Sequence, residues 1–280
     1  MSRIRDFAQV DVFSAEPYRG NPLAVILDAE GLDEAEMRRI ASWTNLSETT
    51  FLFPPVHPEA DYRVRIFTPA GELPFAGHPT LGSAHAWLTN GGSPRRTGEV
   101  VQECGAVLIT VRQAGEELFF AAPPTTRSGP LDEETLGRIC AALRIGRRDV
   151  AGHQWVDNGP GWCAVQLRSA AEVLALEPDL RESGDLKFGV LGPCPEGAEH
   201  AFEIRAFVPF AGNGEDPVTG SLNASVAQWL LREGQVSGGY RVSQGTRLGR
   251  AGSVAVELTA DGQVWVGGAV TTCFRGSAIA

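Results

Sequence analysis

Apolar and polar positions begin to alternate close to the first residue. The stretch Phe7–Phe13 is predicted as a strand, with Leu23–Leu27 as a second. Between Asp33 and Trp43 the period changes. Met37, Ile40 and Ala41 are spaced for one face of a short helix. A strand over Tyr62–Phe67 follows, then a Gly/Pro-rich loop, then a second helix around Thr80–Leu88. In that segment small or apolar residues occupy nearly every face, and a helix without a charged face is usually buried. Strands at Ala106–Arg112 and Glu117–Ala121, joined by the turn Gln113-Ala-Gly115, complete the series.

The series then returns. Tyr62-Arg-Val-Arg-Ile-Phe-Thr-Pro69 is matched by Phe202-Glu-Ile-Arg-Ala-Phe-Val-Pro209, 140 positions on, which aligns Arg65, Phe67 and Pro69 with Arg205, Phe207 and Pro209. At the same spacing Ala24, Val25 and Leu27 meet Ala164, Val165 and Leu167. Trp87-Leu88 meets Trp229-Leu230 at 142, and Gly105 and Gly115 meet Gly252 and Gly262 at 147. A slowly rising offset is what loop insertions leave in a duplicated fold. The second series reads as strands from Trp155 to Leu167, a helix at Ser169–Leu176, and a strand at Phe202–Val208. An uncharged helix at Ser221–Leu230 and strands at Ser253–Leu258 and Gln263–Val266 follow. Ala122–Pro130 reads as the joint. The expectation is an α+β fold of two similar halves, residues 1–125 and 126–280, with the last strand able to cross back. Each half is expected to wrap mostly antiparallel strands around its uncharged helix, with a cleft between the halves.

Bulk properties narrow the function. A net charge of −10 argues against nucleic acid, because phosphate binding needs a basic surface. No apolar run approaches the ~20 residues of a membrane span, so no membrane partner is expected. Cys104, Cys140, Cys163, Cys194 and Cys273 are odd in number and widely spaced, and no apolar leader follows Met1. A cytoplasmic chain with reduced thiols is expected. His57, His153 and His200 are scattered, so no metal is expected. Gly212, Gly214 and Gly220 do not form a dinucleotide fingerprint.

Candidate chemistry gathers at the two uncharged helices. One opens Gly77-His78-Pro79, the other Glu215-Asp216-Pro217-Val-Thr-Gly220-Ser221. With proline in the first helical turn, His78 and Asp216 are both expected at N-caps. Glycines there let backbone N–H groups approach a ligand, and a helix N-terminus favours an anion. Glu48, in Asn45-Leu-Ser-Glu48-Thr-Thr-Phe51, leads into an apolar strand, where a carboxyl can be held ready for proton transfer. On the residues alone a plainer reading stays open for each. Glu48 can be a turn residue, Asp216 and His78 caps, and Ser221 packing.

These segments, with Asp11-Val-Phe13, Gly20-Asn-Pro-Leu-Ala-Val25, Phe67-Thr-Pro69, Glu72–Thr80, Gln244-Gly245 and Gly249-Arg250, resemble the phenazine-biosynthesis PhzF-like family over nearly the whole chain. The resemblance implies a fold similar to diaminopimelate epimerase and a cofactor-free isomerase that shifts a proton on a small unsaturated carboxylic acid such as trans-2,3-dihydro-3-hydroxyanthranilate. It implies a homodimer, Glu48 as catalytic acid/base, and substrate binding by His78, Asp216, Ser221, Gly77 and Gly220. One asymmetry bears on mechanism. At 140 positions beyond Glu48 stands Phe188, and the nearest carboxylate, Asp185, is out of step. A single base suits removing a proton and returning it to another carbon. Two rivals remain at this point. One is a two-base amino-acid racemase or epimerase, whose related enzymes carry a cysteine at each helix start. The other is a non-catalytic ligand-binding homologue.

Overall fold

The computed structural model describes residues 3–105, 107–209 and 214–280. Two compact units emerge, one formed by Met1–Ala121 and Gly267–Ala280, the other by Ala122–Val266.

In chain order the first unit holds strands β1 (Ile4–Val12) and β2 (Asn21–Ile26), helix α1 (Glu34–Thr44), and strands β3 (Thr49–Phe53), β4 (Tyr62–Phe67) and β5 (Glu72–Leu73). Helix α2 (Gly77–Thr89) and strands β6 (Glu99–Glu103), β7 (Leu108–Ala114) and β8 (Glu117–Ala121) follow. The hydrogen-bonded order is β1-β2-β3-β4-β6-β7-β8. The last strand of the chain, Val264–Ile279, pairs with β8 and, antiparallel, with β1, so the sheet closes on itself. Helix α2 runs through the ring, packed on β1, β2, β3, β6, β7 and β8. Its charge-free sequence explains that place, since a core helix has no face to give to water. Gly82 makes the fit possible. A Cβ there would lie 2.5 Å from the Leu23 side chain and 3.0 and 3.1 Å from those of Val12 and Val10. Helix α1 lies outside the ring. Asp33 and Glu36 form a capping box at its start, and Met37 and Ala41 bury against Ile26, Phe51 and Phe67.

The second unit holds α3 (Glu133–Leu143), β9 (Gly152–Trp155), β10 (Trp162–Gln166), α4 (Ala170–Ala175), β11 (Lys187–Pro193) and β12 (Phe202–Phe207). It continues through β13 (Glu215–Asp216), α5 (Gly220–Arg232), β14 (Tyr240–Gln244), β15 (Gly252–Leu258) and the opening of the last strand, β16. Its order is β9-β10-β11-β12-β14-β15-β16. The duplication is visible in the pairing itself. β2–β3 and β4–β6 are parallel in one unit, β10–β11 and β12–β14 in the other, between otherwise antiparallel neighbours. Each unit also repeats a two-residue bridge, β5 on β4 and β13 on β12. Beside it sits an arginine–glutamate fork. Arg65 donates to Glu72 at 2.7 and 2.6 Å, and Arg205 donates to Glu215 at 2.9 and 2.8 Å. The fold is α+β and diaminopimelate epimerase-like: the strands form one continuous sheet that closes around α2 in the first unit, and the second unit carries its own buried helix, α5.

Three expectations needed correction. Helix α3 has no counterpart in the first unit, yet its cap Asp132 and its apolar row Leu136, Ile139, Cys140 and Leu143 are legible. His78 is not an N-cap. Ala76 holds that place, and His78 and Pro79 are the second and third helical residues. The first four helical N–H groups have no intrahelical partner, so proline is tolerated anywhere in that turn. Asp216 is not an N-cap either. It pairs with Ala206 in β13, and α5 begins four residues later behind Thr219. The residue before a proline is steered away from helical backbone, which keeps Asp216 extended.

Candidate active site

In the first unit, α1 ends on Asn45 in left-handed conformation, and three residues lead to β3. The last of them is Glu48. Its neighbours are anchored: the Thr44 and Thr49 hydroxyls bond at 2.7 Å, and Ser83 of α2 donates to Thr50 at 3.0 Å. These bonds tie the start of β3 to the central helix. The Glu48 side chain keeps 15% of its exposure and His78 only 5%, and Nδ1 of His78 lies 3.4 Å from Oε2 of Glu48. Burial pushes the imidazole down to about 3, against the pull of the Pro22 carbonyl, which accepts from the ring. His78 is therefore neutral at physiological pH. The one N–H of a neutral ring is spent on Pro22, so the imidazole lies against Glu48 without locking its carboxylate into an ion pair. Gly77, wholly buried, opens the helix beside them.

In the second unit the start of α5 carries Gly220 and Ser221. Ser221 Oγ accepts from the Trp162 indole at 3.0 Å, and Asn158 donates to the Ser221 carbonyl at 3.0 Å. Asp216 Oδ2 accepts from the Thr219 hydroxyl at 2.5 Å. Ser221 corresponds to His78, each being the second residue of its buried helix after a glycine, and Asp216 corresponds to Leu73 in the short bridge. The structure brings Glu48, His78 and Gly77 together in one unit, and Asp216, Ser221 and Gly220 in the other.

The strand register also fixes the partner of Glu48. Ala24 lies opposite Thr49 and Ala164 opposite Gly189. The residue before Thr49 is Glu48, and the residue before Gly189 is Phe188, a core side chain with no exposure. The twin position carries no acid.

Several polar contacts are absent from the sequence reading: the Trp162–Ser221 bond, the Thr219 hydroxyl on Asp216, and a buried side-chain amide at Gln244 beneath them. Gln244 stands out in sequence only as part of Gln244-Gly245. Gly214 has positive φ at 84° and is buried, whereas Gly212 lies outside the described residues. None of the five cysteines forms a disulfide. The remaining histidines serve local contacts, as His200 does with Ser253 and His85 with Thr272. Among the described residues no group of three or more His, Cys, Asp or Glu side chains could hold a metal, and no helix is long and apolar enough to cross a membrane.

Comparison with known proteins places this geometry. Residues 10–276 match the PhzC-PhzF family, described as phenazine biosynthesis-like protein. The antisense-enhancing sequence 1 protein of Schizosaccharomyces pombe is 36% identical over 96% of this chain and 97% of its own. The trans-2,3-dihydro-3-hydroxyanthranilate isomerase of Pseudomonas chlororaphis is 35% identical over 86% of each chain. The crystal structure of a PhzF-family phenazine biosynthesis protein from Bacillus anthracis superposes with a TM-score of 0.83 at 21% identity, covering 99% of this chain and 100% of that one. With a fold, a register and a family model that agree along nearly its whole length, the chain belongs to the phenazine biosynthesis-like PhzC-PhzF family and is an isomerase.

Proposed function

We propose that this isomerase is cofactor-free and shifts a proton between two carbons of a small unsaturated carboxylic acid, with Glu48 as its single acid/base. The observation that carries the reading is Glu48 in contact with a neutral, buried His78 while Phe188 fills the twin position. Glu48 takes a proton from one carbon, and charge spreads through the unsaturated system toward the substrate carboxylate. The same carboxyl then returns the proton to a second carbon. His78, uncharged, packs against Glu48 without forming an ion pair with it. Asp216, Ser221 and the amides of Gly77 and Gly220 bind the substrate. First-turn amides supply donors and a dipole for the carboxylate and for charge formed during the shift. Copies of the chain are proposed to pair as homodimers in the cytoplasm, and sedimentation tests the pairing.

The two-base racemase reading expects a cysteine at each helix start, and none of the cysteines lies in the first turn of α2 or α5. The substrate that names the Pseudomonas chlororaphis relative, trans-2,3-dihydro-3-hydroxyanthranilate, has the required chemistry and is the first compound to assay. Turnover in D₂O, followed by proton NMR, should place a single solvent-exchangeable site on carbon. Glu48→Gln should slow it by about 10²-fold or more, the ordinary cost of losing an acid/base. Turnover near the parent rate in that variant would remove Glu48 from the mechanism.

A further inference from the structure

The buried amide of Gln244 has no role in the chemistry described so far, and its contacts converge on one place. Gln244 ends β14 and is wholly buried. Its Oε1 accepts from the Thr219 backbone N–H at 3.1 Å and from Asn223 Nδ2 at 2.8 Å. Its Nε2 donates to the Asp216 carbonyl at 3.2 Å and to the Thr219 hydroxyl at 3.0 Å. A carboxamide offers two lone pairs and two hydrogens, and all four are used. The backbone donor at Thr219 also settles which end of the amide faces it. The Thr219 hydroxyl passes the bond on, donating to Asp216 Oδ2 at 2.5 Å. Gln244 N–H, Thr219 O–H and the Asp216 carboxylate thus form one directed chain, in which each bond polarises the next.

The backbone around it leaves no slack. Gly245, at φ 91°, has the Pro217 carbonyl 2.7 Å from where a Cβ would sit, and Gly252 has Val218 at 2.4 Å. The Asp216–Thr219 segment is pressed against the end of β14 and the start of β15. We propose that Gln244 is a positioning residue that sets the direction of the Asp216 carboxylate through Thr219. This rests on the reading of Asp216 as a substrate-binding group.

The first unit supplies a control. Gln102, next to last in β6 and equally buried, accepts from Tyr62 at 2.9 Å and donates to the Thr80 hydroxyl at 3.0 Å. Thr80 is the fourth residue of α2, and Gln102 touches none of the proposed substrate groups. A merely structural glutamine should behave like Gln102.

The experiment measures kcat and KM on trans-2,3-dihydro-3-hydroxyanthranilate for Gln244→Leu and Gln102→Leu, each alone and with Asp216→Ala, together with amide exchange at Thr219. Losing the chain is expected to lower kcat/KM about tenfold in Gln244→Leu, a net hydrogen bond's worth. The factor should shrink below about twofold in the Asp216→Ala background, because the chain then has no target. Gln102→Leu should stay within about twofold, and Thr219 exchange should speed up about tenfold in Gln244→Leu alone. An undiminished factor beside Asp216→Ala, or parent-like kinetics in Gln244→Leu, overturns the proposal. Full activity of Asp216→Ala by itself overturns instead the substrate-binding role of Asp216. Should the parent protein not turn over this acid, the substrate reading falls, and Thr219 exchange decides alone: no acceleration overturns the clamp.

Discussion

The neutral His78 makes stability depend on acid in a way that can be worked out beforehand. In the unfolded chain a histidine titrates near 6.5, whereas burial holds His78 in the native protein at about 3. A depressed native value means the unfolded ensemble binds a proton that the native state refuses. The stability tied to this group is complete above about pH 6.5 and is lost as pH falls from there toward the native value near 3. At about pH 4.5 the medium is two units below the ordinary histidine value, and each unit is worth about 1.4 kcal/mol, so roughly 3 kcal/mol should be gone. That is a large share of the ~5–15 kcal/mol that holds a typical domain together. Urea unfolding of the parent and of His78→Gln, followed by tryptophan fluorescence at about pH 7 and pH 4.5, isolates the contribution. Glutamine is polar and does not titrate, so its absolute cost cancels between the two pH values. The parent should lose roughly 3 kcal/mol more than the variant. Glu48, 3.4 Å away, provides the refutation. If its carboxylate drew a proton onto the ring, His78 would titrate near or above 6.5, and the extra loss would vanish or change sign. Glu48 would then face an imidazolium, and the contact with a neutral ring that carries the proposed function would fail with it.

The two forks should separate by burial. Arg205 is 4% exposed and also donates to the Val173 and Leu176 carbonyls, whereas Arg65 is 26% exposed. Arg205→Leu strands Glu215 and should cost about 3–5 kcal/mol in chemical denaturation, while Arg65→Leu should cost about 1 kcal/mol or less. Equal costs would show that burial does not set their worth. Glu203, buried on β12, has its carboxyl pushed up by desolvation, with the Ser243 and Thr246 hydroxyls and Arg205 working against it. A raised native value stabilises the fold at low pH, and that contribution is lost as pH rises through it. Glu203→Gln should therefore gain melting temperature over the parent above neutrality, and the gain should fade toward about pH 4; a gain that grew in acid would reverse the assignment.

Much of the architecture was readable because local pattern and burial agree. The strand Tyr62–Phe67 has the expected bounds, and α1 differs by one residue at each end from the segment marked by Asp33, Met37, Ile40 and Ala41. The uncharged stretches became α2 and α5, the helices at the heart of each unit. The misplaced caps share a cause: proline marks the neighbourhood of a helix start, and only the backbone reveals whether the chain before it is already helical, as at Gly77, or still extended, as at Asp216. The long strand Val264–Ile279 showed only its opening. Gly267 and Gly268 interrupt the apolar pattern, yet Gly267 is needed because a Cβ there would meet the Leu118 carbonyl at 2.2 Å. A strand state imposed by its partners leaves little trace in its own residues.

By itself the amino-acid order determined that there are two like units, that each encloses one helix with no face for water, and which groups stand at the helix starts. It also determined that one unit has a glutamate where the other has a phenylalanine. Folding decided the rest. It set His78 against a carboxyl 30 positions away, stripped the ring of water and so of its charge, and wired Gln244 through Thr219 to Asp216. Local propensity acts over a few residues, whereas desolvation and hydrogen bonding between distant strands exist only once the core has closed around them.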